Sequence, residues 1–87
     1  MSEPPLLKFP TDYPIKVVGR ASQTLRRDVD AIIARHVPDF ALAQASERPS
    51  ANGNFVSISY HIRAVSAAQV TALAAELAAC AGVLLVI

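Results

Sequence analysis

The sequence predicts an α+β domain of the ferredoxin-like kind. This is a βαββαβ sandwich with a four-stranded antiparallel sheet and two helices on one face. Three observations carry the prediction. Val56, Ile58, Tyr60 and Ile62 alternate strictly with Ser57, Ser59, His61 and Arg63, the pattern of a strand with one buried and one wet face. Two other stretches, within 22–37 and 66–81, repeat apolar residues at helical spacing instead. Prolines and glycines then divide the chain into strand, helix, two strands, helix and strand.

Residues 1–12 hold Pro4, Pro5 and Pro10 and read as an irregular leader, with 13–87 as a single domain. The first strand is expected over 15–20, with Ile15 and Val17 on the core face and Lys16, Val18 and Arg20 on the other. Gly19 stands where the strand turns toward a helix, and Ser22 offers an N-cap oxygen. Leu25, Val29, Ile32, Ile33 and His36 form that helix's stripe. Pro38 stops it, because the residue before a proline is pushed out of the α region.

A second strand is expected from Phe40 to about Arg48, its charged end suiting a sheet edge. Pro49 and Asn52-Gly53 make the hairpin, and the third strand ends at Ala64. In the second helix Ser66 caps and Gln69 reaches back as its capping-box partner, while Val70, Leu73, Ala74 and Leu77 face inward. Gly82 ends the helix and 83–87 form the last strand. Simple alternation puts Val83 and Leu85 in the core and Leu84 and Val86 on the open face. The expected core is Ile15, Val17, Leu25, Val29, Ile32, Ile58, Tyr60, Ile62, Val70, Leu73, Leu77, Val83 and Leu85. The right-handed crossover rule places strands one and three centrally.

At 87 residues the chain is one small domain. Its apolar share is 53%, but alanine inflates that figure and there is no Trp, so the core rests on Leu, Ile and Val. Such a core predicts modest stability, or stability shared with a second subunit. A single Cys80 excludes an internal disulfide and a Cys-rich zinc site, and fits a cytoplasmic location. A net charge of +1 gives no strong pull toward nucleic acid or acidic membranes. No apolar run is long enough for a signal peptide or membrane span. No metal-ligand spacing appears and no cofactor is expected.

Phe9-Pro10-Thr11, Lys16-Val17 followed by Gly19, Arg35-His36 with Pro38, Pro49-Ser50 with Gly53-Asn54-Phe55, and Ser57 with Ser59 form an ordered set. On these residues the chain, from about Phe9 to Ile87, resembles the YbeD-like family of small uncharacterised bacterial proteins. The resemblance implies a ferredoxin-like fold similar to ACT-type regulatory domains, which bind small ligands or pair their sheets between subunits. It also implies a link to lipoate metabolism. It carries no catalytic residue onto this chain.

The wet row of the third strand is the first candidate site. A serine nucleophile with His61 as base is disfavoured by geometry. Ser57 and His61 lie about 13 Å apart along a strand and Ser59 and His61 about 6–7 Å, whereas a nucleophile and base need roughly 3 Å. The strand also has no acid to orient the histidine. Lys16, Arg20 and Arg63 could form a basic patch for nucleic acid. Phe55 is the aromatic that this strand puts on its open face, so there is no aromatic-rich run for stacking bases. The turn of Gly19, Arg20 and Ser22, beside a helix N-terminus, is a candidate anion-binding loop like that of acylphosphatases. His36 suits a helix C-terminus better than a metal.

The reading that follows is a non-catalytic, ACT-like regulatory or interaction module that binds a protein partner or small ligand. It is expected to self-associate through the sheet face or edge formed by Lys16, Val18, Ser57, Ser59, His61, Arg63, Leu84 and Val86, because an apolar strip on so small a domain favours cover. The alternative is a nucleic-acid-binding module using the basic open face.

Overall fold

A computed structural model of the protein describes residues 8–38 and 44–87. The element order is β1 (Thr11–Arg20), α1 (Leu25–His36), β2 (Ser46–Pro49), β3 (Phe55–Ala64), α2 (Ala67–Ala79) and β4 (Val83–Val86). The strands form one antiparallel sheet in the order β2-β3-β1-β4. The βαββαβ, ferredoxin-like plan expected from the periodicities is therefore the fold.

The central pair organises everything else. β1 and β3 are in register over their whole length, from Thr11 opposite Ala64 to Arg20 opposite Phe55. β1 thus begins at Thr11, ahead of the 15–20 span that alternation indicates. Asp12 and Pro14 break the apolar pattern but not the pairing, because they fall on the wet face. The expected second strand is shorter than its sequence suggested. Gln44 and Ala45 are not in strand, β2 is Ser46–Pro49, and Phe40 with its neighbours in 39–43 lies outside the described residues.

The core sits between the sheet and the helices. Val17, Val29, Ile33, Ile58, Tyr60, Leu73 and Leu77 are all at 0% exposure. Full burial of each such aliphatic side chain is worth about 1.5–3 kcal/mol. Ile15, Leu25, Ile32, Val37, Val56 and Ile62 complete the cluster. Val70 is a correction: it is half-buried and stands outside this cluster.

Strand β4 supplies the other correction. Val17 faces Val86 and Val18 faces Leu85, but Gly19 faces Val83, so β4 carries one extra residue, a bulge at Leu84. The side-chain period of two is broken there, and the faces exchange. Val83 and Val86 pack against the core, whereas Leu85 is 52% exposed. Val86 is therefore not an open-face residue, and Leu85 is not a core residue.

The cap of α2 follows the sequence closely. The Ser66 side chain accepts a hydrogen bond from Gln69 N at 3.1 Å, and Gln69 Oε1 accepts one from Val65 N at 2.7 Å. Gln69 Nε2 also donates to the His36 carbonyl at 2.9 Å, tying the start of α2 to the end of α1. Ser22 caps α1 from further back than an N-cap residue does. Its Oγ accepts from Thr24 N and Leu25 N, while Thr24 holds the N-cap position with no side-chain bond of its own. Gly53 has φ +76, as the hairpin requires.

Candidate functional site

The sheet face opposite the helices is covered by no described residue. Alternation on β1 and β3 puts Lys16, Val18, Arg20, Ser57, Ser59, His61 and Arg63 on it, joined by Asp12, Pro14 and Phe55. The register then sets them in rows. Arg48, Ser57, Val18 and Leu85 form one row across the sheet. The next holds Ser46, Ser59 and Lys16, and Ile87, whose N–H and carbonyl both bond Lys16, closes it. Beyond these, His61 lies opposite Pro14 and Arg63 opposite Asp12.

The charges divide by face. On the helix side each arginine of α1 has a carboxylate partner. Arg26 Nε bonds both Asp30 oxygens at 2.9 Å and its Nη1 bonds Glu47 Oε1 at 2.9 Å. Arg27 lies 3.6 Å from Asp28, and Arg35 pairs with Glu76, which also meets His36 Nε2 at 2.8 Å. Glu47, with Asp30, holds the Arg26 guanidinium above its ordinary pKa against the opposing effect of burial. On the open face Lys16, Arg20, Arg48 and Arg63 join no ion pair among the described residues.

Two shallow hollows mark this face. One, of about 350 Å³, is lined by Lys16, Ser46, Glu47, Arg48, Ser57 and Ser59. The other, of about 280 Å³, shares Lys16 and Ser59 with it and adds His61, Pro14 and Ile87. Ser59 and His61 form no hydrogen bond with each other among the described residues.

The turn after β1 is not open to an anion in the way its glycine and helix suggest. Arg20 N donates to the Gly82 carbonyl at 2.9 Å and Ala21 N to the Asn54 carbonyl at 3.0 Å. The N–H groups of Thr24 and Leu25 are taken by Ser22. Gly19 is needed for close packing: a Cβ there would lie 2.7 Å from the Gly82 carbonyl oxygen. Arg20 itself remains exposed on the sheet face.

Cys80 is partly buried against the core, and burial pushes its thiol up, away from the thiolate form that reacts. Among the described residues no group of three or more His, Cys, Asp or Glu is placed to hold a metal. No described helix is long and apolar enough to cross a membrane.

Ser46 and Arg48 are open-face residues that the sequence reading missed. Their signal is the short alternation Ser46-Glu47-Arg48, which the alanine-rich run before it obscures. Leu85 and Ile87 were missed for a different reason: an unbroken apolar run has no period to show where a bulge falls.

Comparison with known proteins agrees with this architecture. The chain is 40% identical over 78 residues to a UPF0250 protein of Ectopseudomonas mendocina, covering 88% of this chain and 85% of that protein. It is 42% identical over 78 residues to a UPF0250 protein of Shewanella loihica, covering 90% and 86%. In structure it is similar to the ACT domain from GTP pyrophosphokinase of Chlorobium tepidum, with TM-score 0.67, 17% identity and coverage of 87% and 84%. It is also similar to protein HP0495 from H. pylori, with TM-score 0.72, 12% identity and coverage of 99% and 90%. Residues 4–87 match the family model described as "Protein of unknown function (DUF493)". With its YbeD-like motifs, its UPF0250 relatives and an ACT-like fold, the chain belongs to this DUF493 family.

Proposed function

We propose that the protein is a non-catalytic regulatory or interaction module that pairs with a second copy along the β4 edge of its sheet. The observation that carries this is the contrast between the two sheet edges. The β2 edge is protected by what it holds, Glu47, Arg48 and Pro49. The β4 edge has no charged residue, and Leu84, Leu85 and Ile87 are 51%, 52% and 69% exposed. Because Lys16 and Ile87 exchange both of their backbone bonds, the neighbouring Val86 turns its N–H and carbonyl outward.

Apolar surface continues round this edge. Ala74 and Ala78 of α2 line a hollow of about 380 Å³ with Val83, Leu84, Leu85 and Val86. Apolar area removed from water is worth roughly 25 cal/mol per Å², which favours covering such an edge. A face-to-face dimer would instead set the unpaired cations of one open face against those of another. The ACT-like fold supports a regulatory role, the family resemblance joins that role to lipoate metabolism, and the single Cys80 fits a cytoplasmic setting.

Sedimentation at micromolar concentration tests the reading. The wild type should run as a dimer and Leu84→Glu as a monomer with unchanged secondary structure. A wild-type monomer, or a dimer indifferent to Leu84→Glu, would overturn pairing along β4.

The four open-face cations support a second reading, a nucleic-acid-binding module. Against it, Phe55 is the one aromatic on that face among the described residues, and single strands are held by stacking as well as charge.

A further inference from the structure

We propose that the valley over Ser57 and Ser59, between Lys16 and Arg48, binds the phosphoryl group of a small phosphorylated ligand. The site lies across β1 from the β4 edge and does not depend on pairing there.

The valley arises from side-chain length. Neighbouring strands are about 4.8 Å apart, so β1 and β2 straddle β3 at about 10 Å. The two β3 residues between them are serines, so the middle of the sheet is low. Lys16 rises from β1 beside Ser59, and Arg48 rises from β2 beside Ser57. The two cations therefore stand at opposite corners of the serine pair. Ser46, beside Ser59 on β2, adds a third hydroxyl to the same hollow of about 350 Å³.

The donors here are unused. Ser57 and Ser59 are half-buried, and neither they nor Ser46 makes a side-chain hydrogen bond among the described residues. The other serines in the described segments behave differently: Ser22, Ser50 and Ser66 all bond the backbone of turns and caps. Lys16 and Arg48 are likewise unpaired, although the chain pairs every arginine of α1.

Glu47, the carboxylate at the rim, does not oppose an anion. It faces Ile58 in the register, on the helix side, and Arg26 holds it there at 2.9 Å. What remains is two positive charges and three hydroxyls around one depression. A phosphate monoester presents three terminal oxygens and up to two negative charges, which match that set. A carboxylate presents two oxygens and one charge, and would leave one cation unmatched. Arginine's planar fork and charge-assisted bonds suit the phosphoryl group in particular.

Inorganic pyrophosphate is a suitable probe, titrated at low salt while backbone amide shifts are followed by NMR. Shifts should concentrate at Lys16, Arg48, Ser57 and Ser59. Lys16→Ala and Arg48→Ala should each weaken binding about tenfold or more, and Arg27→Ala, on the helix side, should leave it unchanged. Each of these three side chains is substantially exposed, so the variants should fold, which their amide spectra will confirm. No saturable binding up to millimolar pyrophosphate would overturn the proposal, as would binding that Arg27→Ala weakens equally. A single-stranded oligonucleotide bound far more tightly than pyrophosphate, with a steep salt dependence, would overturn it in favour of nucleic acid.

Discussion

Tyr60 donates its hydroxyl hydrogen to Asp30 Oδ1 at 2.5 Å, joining the middle of β3 to the middle of α1. Tyr60 is at 0% exposure, and Asp30 is in turn gripped by Arg26. The phenol therefore fixes helix to sheet through a carboxylate that already has a cation. Burial first, and the hydrogen bond to Asp30 second, push the Tyr60 phenol far above its ordinary value of 10.0.

This makes stability depend on pH in a stated direction. In the unfolded chain the phenol releases its proton near 10, whereas the folded chain retains it. The contribution is complete below about pH 10 and is lost as pH rises above it, because the unfolded state then binds fewer protons. Urea unfolding between pH 9 and 11.5 should show falling stability in the wild type and a shallower fall in Tyr60→Phe. Near neutral pH that variant should lose roughly 1.5–3 kcal/mol, the usual worth of a hydrogen bond to a charged group. Equal slopes for the two proteins would show that Tyr60 is not the titrating group.

Two glycines should fail for different reasons. A Cβ at Gly19 would sit 2.7 Å from the Gly82 carbonyl oxygen and 2.8 Å from Leu25 Cδ2, so Gly19→Ala must displace backbone or core. Its cost is expected at about 1–3 kcal/mol, as for other overpacked sites. At Gly53 a Cβ meets nothing within 4 Å, but φ is +76. Gly53→Val should cost roughly 1–2 kcal/mol from backbone conformation alone. Melting temperatures of the two variants check this, and Gly53→Asn should recover much of the loss because Asn tolerates the left-handed region. A wild-type melting temperature for Gly53→Val would remove the turn argument.

The bulge in β4 predicts a reversal between two apolar residues. Ile58→Ala should cost roughly 2–5 kcal/mol, since Ile58 is at 0% exposure. Leu85→Ala should change the stability of the folded monomer by no more than about 0.5 kcal/mol, the usual range for surface positions. Chemical denaturation at low protein concentration separates the two. A large loss in Leu85→Ala would mean that β4 runs without its bulge and keeps simple alternation.

The sequence by itself determined the element order, the faces of the two central strands, the caps of α2 and the hairpin glycine. These are local properties. Alternation over Ile15–Val18 and Val56–Arg63 sets which side chains point inward, and Ser66 with Gln69 lies within one helical turn. Lys16, Val18, Arg20, Ser57, Ser59, His61 and Arg63, set on the open face by alternation, lie there in the paired strands. Only the tertiary structure decided what depends on partners distant in the chain. Leu84 is a bulge because β4 must match Val17, Val18 and Gly19 across the sheet, which an all-apolar run does not encode. Arg48 and Ser46 become neighbours of Ser57 and Ser59 only once the hairpin register is set. Glu47, on the helix side by its register, meets Arg26 there, an arginine on α1 with no spacing relation to it. Charge composition alone reads as near balance, +1 over 87 residues. The fold divides that balance into a helix side where each α1 arginine is neutralised and a sheet face where four cations join no ion pair among the described residues, because pairing requires contact and contact is made by the fold.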